Sequence, residues 1–170
     1  MITVRKAESS DAALVADLSR KTFSDTFASA NTEANMELFL SGPFAREKLM
    51  AELTLPGNHF FIAMEGDKPV GYARVRENNN PPPLAGRETI EIARIYAIRE
   101  SIGKGVGRLL MQTCIDLGRS LGKELVWLGV WEHNQPAIDF YKRWGFTRFS
   151  DHEFLLGTDV QKDWLLKKDL

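Results

Sequence analysis

A single cysteine, Cys114, stands in 170 residues, so no disulfide can form within the chain. A reducing, cytoplasmic setting is the simplest expectation. No apolar run approaches the ~20 residues of a membrane span. The opening MITVRKAESSD lacks an apolar core, so no signal peptide and no membrane partner are expected. Basic excess is missing too: Lys+Arg number 22 against 23 Asp+Glu, a formal net charge of -1. That argues against a nucleic-acid partner, which would need a basic surface. No internal repeat is visible, and no metal site is expected. What remains is the composition of an ordinary globular protein, long enough for one domain over residues 1–170.

Ile2 to Ala7 alternates like a half-buried strand. Ser9-Ser10-Asp11 offers caps for a helix running from Ala12 through Leu18, and Thr22 to Phe27 then loses the period. Asn31 or Thr32 can cap a short helix through Leu40, and a third helix reads from Phe44 to Leu53. His59–Met64 and Val70–Val75, joined by Glu65-Gly66-Asp67, predict an antiparallel hairpin. Asn78–Pro83 reads as a long surface loop, mobile or extended, because its proline run blocks both helix and ladder.

The stretch Thr89 to Leu110, TIEIARIYAIRESIGKGVGRLL, reads strand, glycine turn, helix. Val106, Leu110, Cys114, Leu117 and Leu121 share one helical face, and Gly122 ends it. Leu125–Trp131 is apolar on both faces, the pattern of an interior parallel strand. Asn134 and Pro136 open a further helix that Gly145 closes. Phe146–Phe149 and Val160–Leu166 predict closing strands, joined by the polar segment Asp151–Asp159.

Gly103, Gly105 and Gly107 stand where strand becomes helix, so amides can face a phosphate at the positive helix end. The spacing is not the G-x-G-x-x-G of a dinucleotide fold. Lys104 is followed by glycine, so the G-K-[ST] of a nucleotide triphosphate loop is absent. Thirty residues on, Asn134, Ala137, Tyr141, Gly145 and Phe146 fit N-x-x-A-x-x-x-Y-x-x-x-G-F. Together the segments resemble the GNAT superfamily of acetyl-CoA-dependent N-acetyltransferases. The glycine motif departs from the family's [QR]-x-x-G-x-[GA] in one place, Ile102. Thr22–Phe27, Asn35-Met36, Trp127–Glu132 and the tail Gly157–Leu166 look most like PaiA-type spermidine/spermine acetyltransferases.

The resemblance implies an α/β (α+β) fold. Six to seven mostly antiparallel strands would be flanked by helices, with one parallel, splayed pair around the cofactor arm. It implies acetyl transfer from acetyl-CoA directly to a primary amine, with a polyamine such as spermidine the first choice of small-molecule substrate. A protein N-terminus or lysine is the nearest alternative acceptor, and a coenzyme A-binding regulatory module without catalysis is the alternative of another class.

Amides of Gly103, Lys104, Gly105, Val106, Gly107 and Arg108 would surround the pyrophosphate, with the two cations adding charge or simply facing solvent. Ile95, Tyr96 and Ala97 would pair with the pantetheine arm and supply an oxyanion donor; Asn134 and Ala137 would meet the same arm. Gly129 marks either the splay or a packing accommodation. Tyr141 would protonate the departing thiolate; standing alone it would read as a core tyrosine. Polyamine acetyltransferases carry a glutamate where this chain has Ala93, which moves the base to Glu91, unless Glu91 bridges Arg87 or Arg94. Phe23, Asp25, Phe27, Trp131 and Glu132 would bind the acceptor. An exposed edge strand would make a homodimer reasonable.

Overall fold

The computed structural model describes residues 1–170. Apolar Ile2 and Val4 alternate with Thr3 and Arg5 in β1 (Ile2–Lys6), which pairs antiparallel with β2 (Asn58–Glu65). Between them lie α1 (Ala12–Phe27), α2 (Glu33–Ser41) and α3 (Arg46–Glu52). The first helix does not stop near Leu18 as the lost period suggests. Hydroxyls of Ser19, Thr22 and Thr26 donate to carbonyls four residues back, at 2.6, 2.9 and 2.8 Å. Polar side chains are thereby satisfied inside the helix, and Phe23 and Phe27 fall on one face. Thr32 caps α2 by accepting from the Asn35 amide at 3.2 Å.

The hairpin continues with β3 (Lys68–Glu77), followed by β4 (Thr89–Ala97). The proline segment between them is anchored rather than mobile. Pro82–Leu84 makes one 3-10 turn, and Leu84 is buried against Leu125, Trp127 and Leu165. Asn80 Nδ2 ties the turn down by donating to the carbonyls of Leu84 and Arg87, at 2.9 and 2.7 Å. Then come α4 (Val106–Ser120), β5 (Leu125–Trp131), α5 (Gln135–Arg143), β6 (Thr147–Leu156) and β7 (Asp159–Asp169). The polar segment expected to join the last two strands is mostly strand itself. β6 is the sheet edge, so its polar side chains face water while its backbone pairs with β7.

The seven strands run in the order β1-β2-β3-β4-β5-β7-β6. Every neighbouring pair is antiparallel except β4 and β5, which α4 connects. Parallel pairing covers only Thr89↔Leu125, Ile90↔Val126 and Glu91↔Trp127. Immediately beyond, the β3–β4 register slips: Val75 faces Ile92 but Arg74 faces Arg94, which leaves Ala93 unmatched. Such a bulge bends its strand. β4 stays paired with β3 up to Ala97 while β5 stays paired with β7, so a V opens between them. Gly129, in the middle of an otherwise buried strand, is exposed because it lies at that opening. α4 covers one face of the sheet with Leu110, Met111, Cys114 and Ile115, all fully buried. α1 and α3 lie over β3 and β4 from the other side: Arg74 and Arg94, cross-strand neighbours, both reach Glu52 of α3.

Candidate functional site

A cleft of about 860 Å³ runs through the V. Its inner edge is the unpaired side of β4 from Ala93 to Ala97, its floor Gly129–Trp131, and its far wall α5. One end is made largely of backbone. Gly103 and Gly105 have φ of +84° and +88°, and a Cβ on either would point into open space. The first helical bond of α4 is Leu109 N–H to Gly105 C=O, 3.1 Å. Amides of Gly105, Val106, Gly107 and Arg108 therefore lack a helical acceptor, as at any helix start, and here they line the cleft. Close packing fixes the start of α4. A Cβ on Gly71 of β3 would lie 2.6 Å from Val106 Cγ1 and 2.7 Å from the Tyr96 carbonyl. Arg108 and Arg143 add positive charge to this end.

Lys104 does not join them. Its amide donates to the Ser101 carbonyl at 3.3 Å, and its half-exposed side chain points toward Glu65, 3.8 Å away. The φ > 0 conformation on both sides turns that one peptide away from its neighbours. Ile102 stands 71% exposed at the cleft margin. Asn134 caps α5 by accepting from the Ala137 amide at 3.4 Å, and both residues line the cleft. Ile95, Tyr96 and Ala97 line it as well.

Tyr141 sits where the two ends meet, 8% exposed, its ring edge-on to Phe146 at 5.8 Å. Burial, and then the neighbouring Cys114 thiol, push its phenol well above the ordinary tyrosine range. It is therefore protonated at neutral pH. Burial also raises the Cys114 thiol to about 12, so that group is an inert part of the core.

The other end of the cleft is made of side chains from distant elements. Phe23 stacks on Phe39 at 4.5 Å and leans on Phe44 at 5.1 Å; Phe27 meets Trp131 edge-on at 6.0 Å. Phe154 of β6 closes the wall on Phe39 at 5.6 Å. Asn35 holds that wall in place, its Oδ1 accepting from the Thr158 amide at 3.0 Å. Arg94 enters over the Phe44 ring, 4.7 Å from its centroid, with Nη1 and Nη2 on Glu52 at 2.6 and 3.0 Å. Arg74 shares that carboxylate at 3.0 Å, and burial, then Arg94, pull its guanidinium down to about 10.

Among the residues lining the cleft there is one carboxylate, Asp163 of β7. Sequence reasoning missed it. It stands opposite Trp131 in the ladder, and its Oδ2 lies 3.5 Å from where a Cβ on Gly129 would be. Its neighbours in the chain give no signal for it: it follows the polar Gln161-Lys162 and precedes Trp164, Leu165 and Leu166.

Besides Lys104, three expected residues lie elsewhere. Glu91 is not at the cleft wall. Arg76 grips its carboxylate from Nε and Nη2 at 2.9 and 3.0 Å, and Asn79 Nδ2 adds a third bond at 2.7 Å. The bulge at Ala93 explains this: Glu91 belongs to the stretch still paired with β5, below the point where the V opens. The bridging partner is Arg76, directly across the ladder, rather than Arg87 or Arg94. Asp25 pairs with Lys21 at 2.9 Å on the outer side of α1, and this bond lowers its carboxyl below the usual range. Glu132 lines a separate hollow of about 390 Å³, with Glu153, Asp159, His133 and Lys162. That hollow shares Trp131 and Gln161 with the cleft.

Comparison with known proteins agrees with the geometry. Residues 19–146 match the model of the Acetyltransferase (GNAT) family. The chain is 38% identical over 153 residues to the "Uncharacterized N-acetyltransferase in pepI 3'region" of Lactobacillus delbrueckii subsp. lactis, covering 90% of this chain and 88% of that one. It is 31% identical over 118 residues to the N-alpha-acetyltransferase RimI of Mycobacterium tuberculosis, covering 68% and 70%. Among solved structures, the PaiA N-acetyltransferase of Thermoplasma acidophilum in complex with coenzyme A superposes with a TM-score of 0.81. Identity is 20%, and the match covers 100% of this chain and 99% of that one.

Proposed function

The chain belongs to the GNAT family and is an acetyl-CoA-dependent N-acetyltransferase; from that premise we propose that its acceptor is a polyamine such as spermidine. The observation that carries the acceptor reading is that the two hollows adjoin, with Trp131 and Gln161 lining both. The cleft offers one carboxylate, Asp163, and aromatic walls. The adjoining hollow offers Glu132, Glu153 and Asp159. An extended polycation needs that pattern: apolar surface for its methylenes, and acids spaced along the path for its ammonium groups.

The backbone end fits coenzyme A. Glycines with room above them let a pyrophosphate approach the free amides of Gly105 to Arg108, at the positive end of α4. Arg108 and Arg143 complement its charge. The unpaired edge of β4 at Ile95, Tyr96 and Ala97 can bind the pantetheine arm as an added strand, and Asn134 and Ala137 flank it. Bound acetyl-CoA supplies a thioester carbon to the amine. A free amide of that edge donates to the carbonyl oxygen as negative charge develops there. Tyr141 donates its phenolic proton to the departing sulfur, which resembles a thiolate of pKa ~8.5. Its raised pKa keeps that proton available at neutral pH. Lys104, Glu91 and Asp25 have no part in this reading.

Following thiol release from acetyl-CoA across an amine panel tests it. Spermidine should exceed a monoamine of equal length in kcat/KM by about tenfold or more, one ion pair being ~1.4 kcal/mol here. Glu153→Gln should raise KM for spermidine and leave the monoamine unchanged. Equal kcat/KM for the two amines, or a peptide N-terminus outperforming both, rejects the polyamine.

A further inference from the structure

An acceptor ammonium cannot attack a thioester until it loses a proton, and Glu91, saturated by Arg76 and Asn79, is not placed to take it. We propose that Asp163 is the proton-accepting group of this enzyme, and that His152 on the edge strand carries the proton on to solvent. The inference rests on the acetyltransferase reading but not on the polyamine.

The geometry is that of a short exit path. Asp163 is the one carboxylate on the cleft wall, and it lies against Gly129, where the missing side chain leaves room. His152 is its cross-strand partner on β6, with Nε2 3.5 Å from Asp163 Oδ2. Side-chain exposure rises outward, from 19% at Asp163 to 47% at His152. The inner group therefore faces substrate and the outer one faces water. In the step, an N–H bond of the ammonium breaks as an O–H bond forms on Asp163. That proton then passes to Nε2 of a neutral His152, and the imidazolium returns it to solvent. The carboxylate is regenerated and no redox partner is needed.

Charge around the pair suits it. Asp163 itself, and beyond it Glu91 of β4 and Asp151 of β6, hold the His152 imidazole above its ordinary range against the opposing effect of burial. Glu91 is offset by Arg76 and Asp151 by Arg148. Tyr96 of β4 faces Asp163 from across the cleft, its own phenol pushed up chiefly by burial. His152 must be neutral to accept a proton. The wild-type rate should therefore fall as pH drops through a midpoint above ~6.5.

The test is the pH dependence of kcat/KM for wild type, Asp163→Asn and His152→Gln, with a good amine and, at pH ~8.5, with its β,β-difluorinated analogue, whose far less basic amino group is then mostly unprotonated. At pH 7, Asp163→Asn should lose about 100-fold with the ordinary amine. The deficit should shrink below about fivefold near pH 10.5, where an alkylamine of pKa ~10.4 is half free. It should also nearly vanish with the fluorinated amine, which shows that the variant is folded. His152→Gln should lose about tenfold at pH 7 and abolish the acid limb, with coenzyme A binding unchanged in both variants. A deficit that stays constant with pH and amine overturns the assignment, as does Asp163→Asn activity within threefold of wild type at pH 7. A wild type that releases no thiol with any amine rejects the transferase reading as well, so the two failures are distinct.

Discussion

The two ends of the cleft are made of different material. The end proposed for the cofactor is backbone: glycines, free amides and a strand edge, all drawn from one continuous stretch between Ala93 and Arg108, with α5 behind it. The acceptor end is side chains, contributed by α1, α2, the loop after it, β4, β5, β6 and β7. A backbone site depends little on side-chain identity, because every residue carries the same amide. A side-chain site can be changed one residue at a time without disturbing the fold. The contrast predicts that substitutions at the cofactor end act by adding atoms, and those at the acceptor end by removing them.

The joint between the ends should show the largest effect. Tyr141→Phe removes one oxygen from a buried ring whose packing on Phe140 and Phe146 would remain. We expect kcat to fall by about 100-fold or more, as for loss of a general acid. Coenzyme A affinity, measured by calorimetry, should change less than about threefold. An unchanged kcat removes Tyr141 from the mechanism. With the hydroxyl present, its raised pKa implies no loss of rate from its ionisation between pH 7 and 10; a basic limb centred below 10 would contradict that.

Adding a side chain at the cofactor end comes next. Gly105→Val places a β-branched residue at φ +88°, a conformation costing roughly 1–2 kcal/mol for an L residue, and fills part of the open space beside it at that end of the cleft. Coenzyme A should bind at least about tenfold more weakly. Lys104→Ala, one residue away, should bind it within about twofold of wild type, since that side chain and amide both face away. If the two variants weakened binding equally, the site would depend on charge rather than on backbone.

The same division decides how much could be read from the sequence. The strand–glycine–helix stretch and the Asn134-to-Phe146 helix are local: periodicity and turn chemistry marked their elements, the family resemblance assigned their residues to a site, and nearly all of those residues line the cleft. The splayed parallel pair was an expectation of the resemblance, since Gly129 alone fitted either a splay or a packing accommodation. The bulge at Ala93 was not legible, because a one-residue slip depends on how β3 and β5 compete for β4. Missing it moved Glu91 to the wrong level of the cleft. Asp163 was not legible either: nothing near it in the chain marks it, and its meaning comes from Gly129 and Trp131 across the ladder. Phe23 and Phe27 were identified for their chemistry, but the helix that aims them was truncated because hydroxyl-to-backbone bonds do not show in a hydrophobic period.

The smallest expected effect is also the finest test of the contrast. Ile102 occupies the position where the family pattern has glutamine or arginine, and it is 71% exposed at the rim of the amide cradle. If the cradle is backbone-built, the missing polar group costs little, because the amides of Gly105 to Arg108 are present regardless of what stands at 102. Ile102→Gln would add one donor reaching a phosphate at a wet margin. A net hydrogen bond there is worth about 0.5–1 kcal/mol. Coenzyme A should then bind about two- to fivefold more tightly, with kcat unchanged because Tyr141 and the acceptor end are untouched. Fold stability should not move, since the side chain makes no buried contact to lose. A gain of a hundredfold would mean that the amides alone are a poor site and that side chains govern both ends of the cleft.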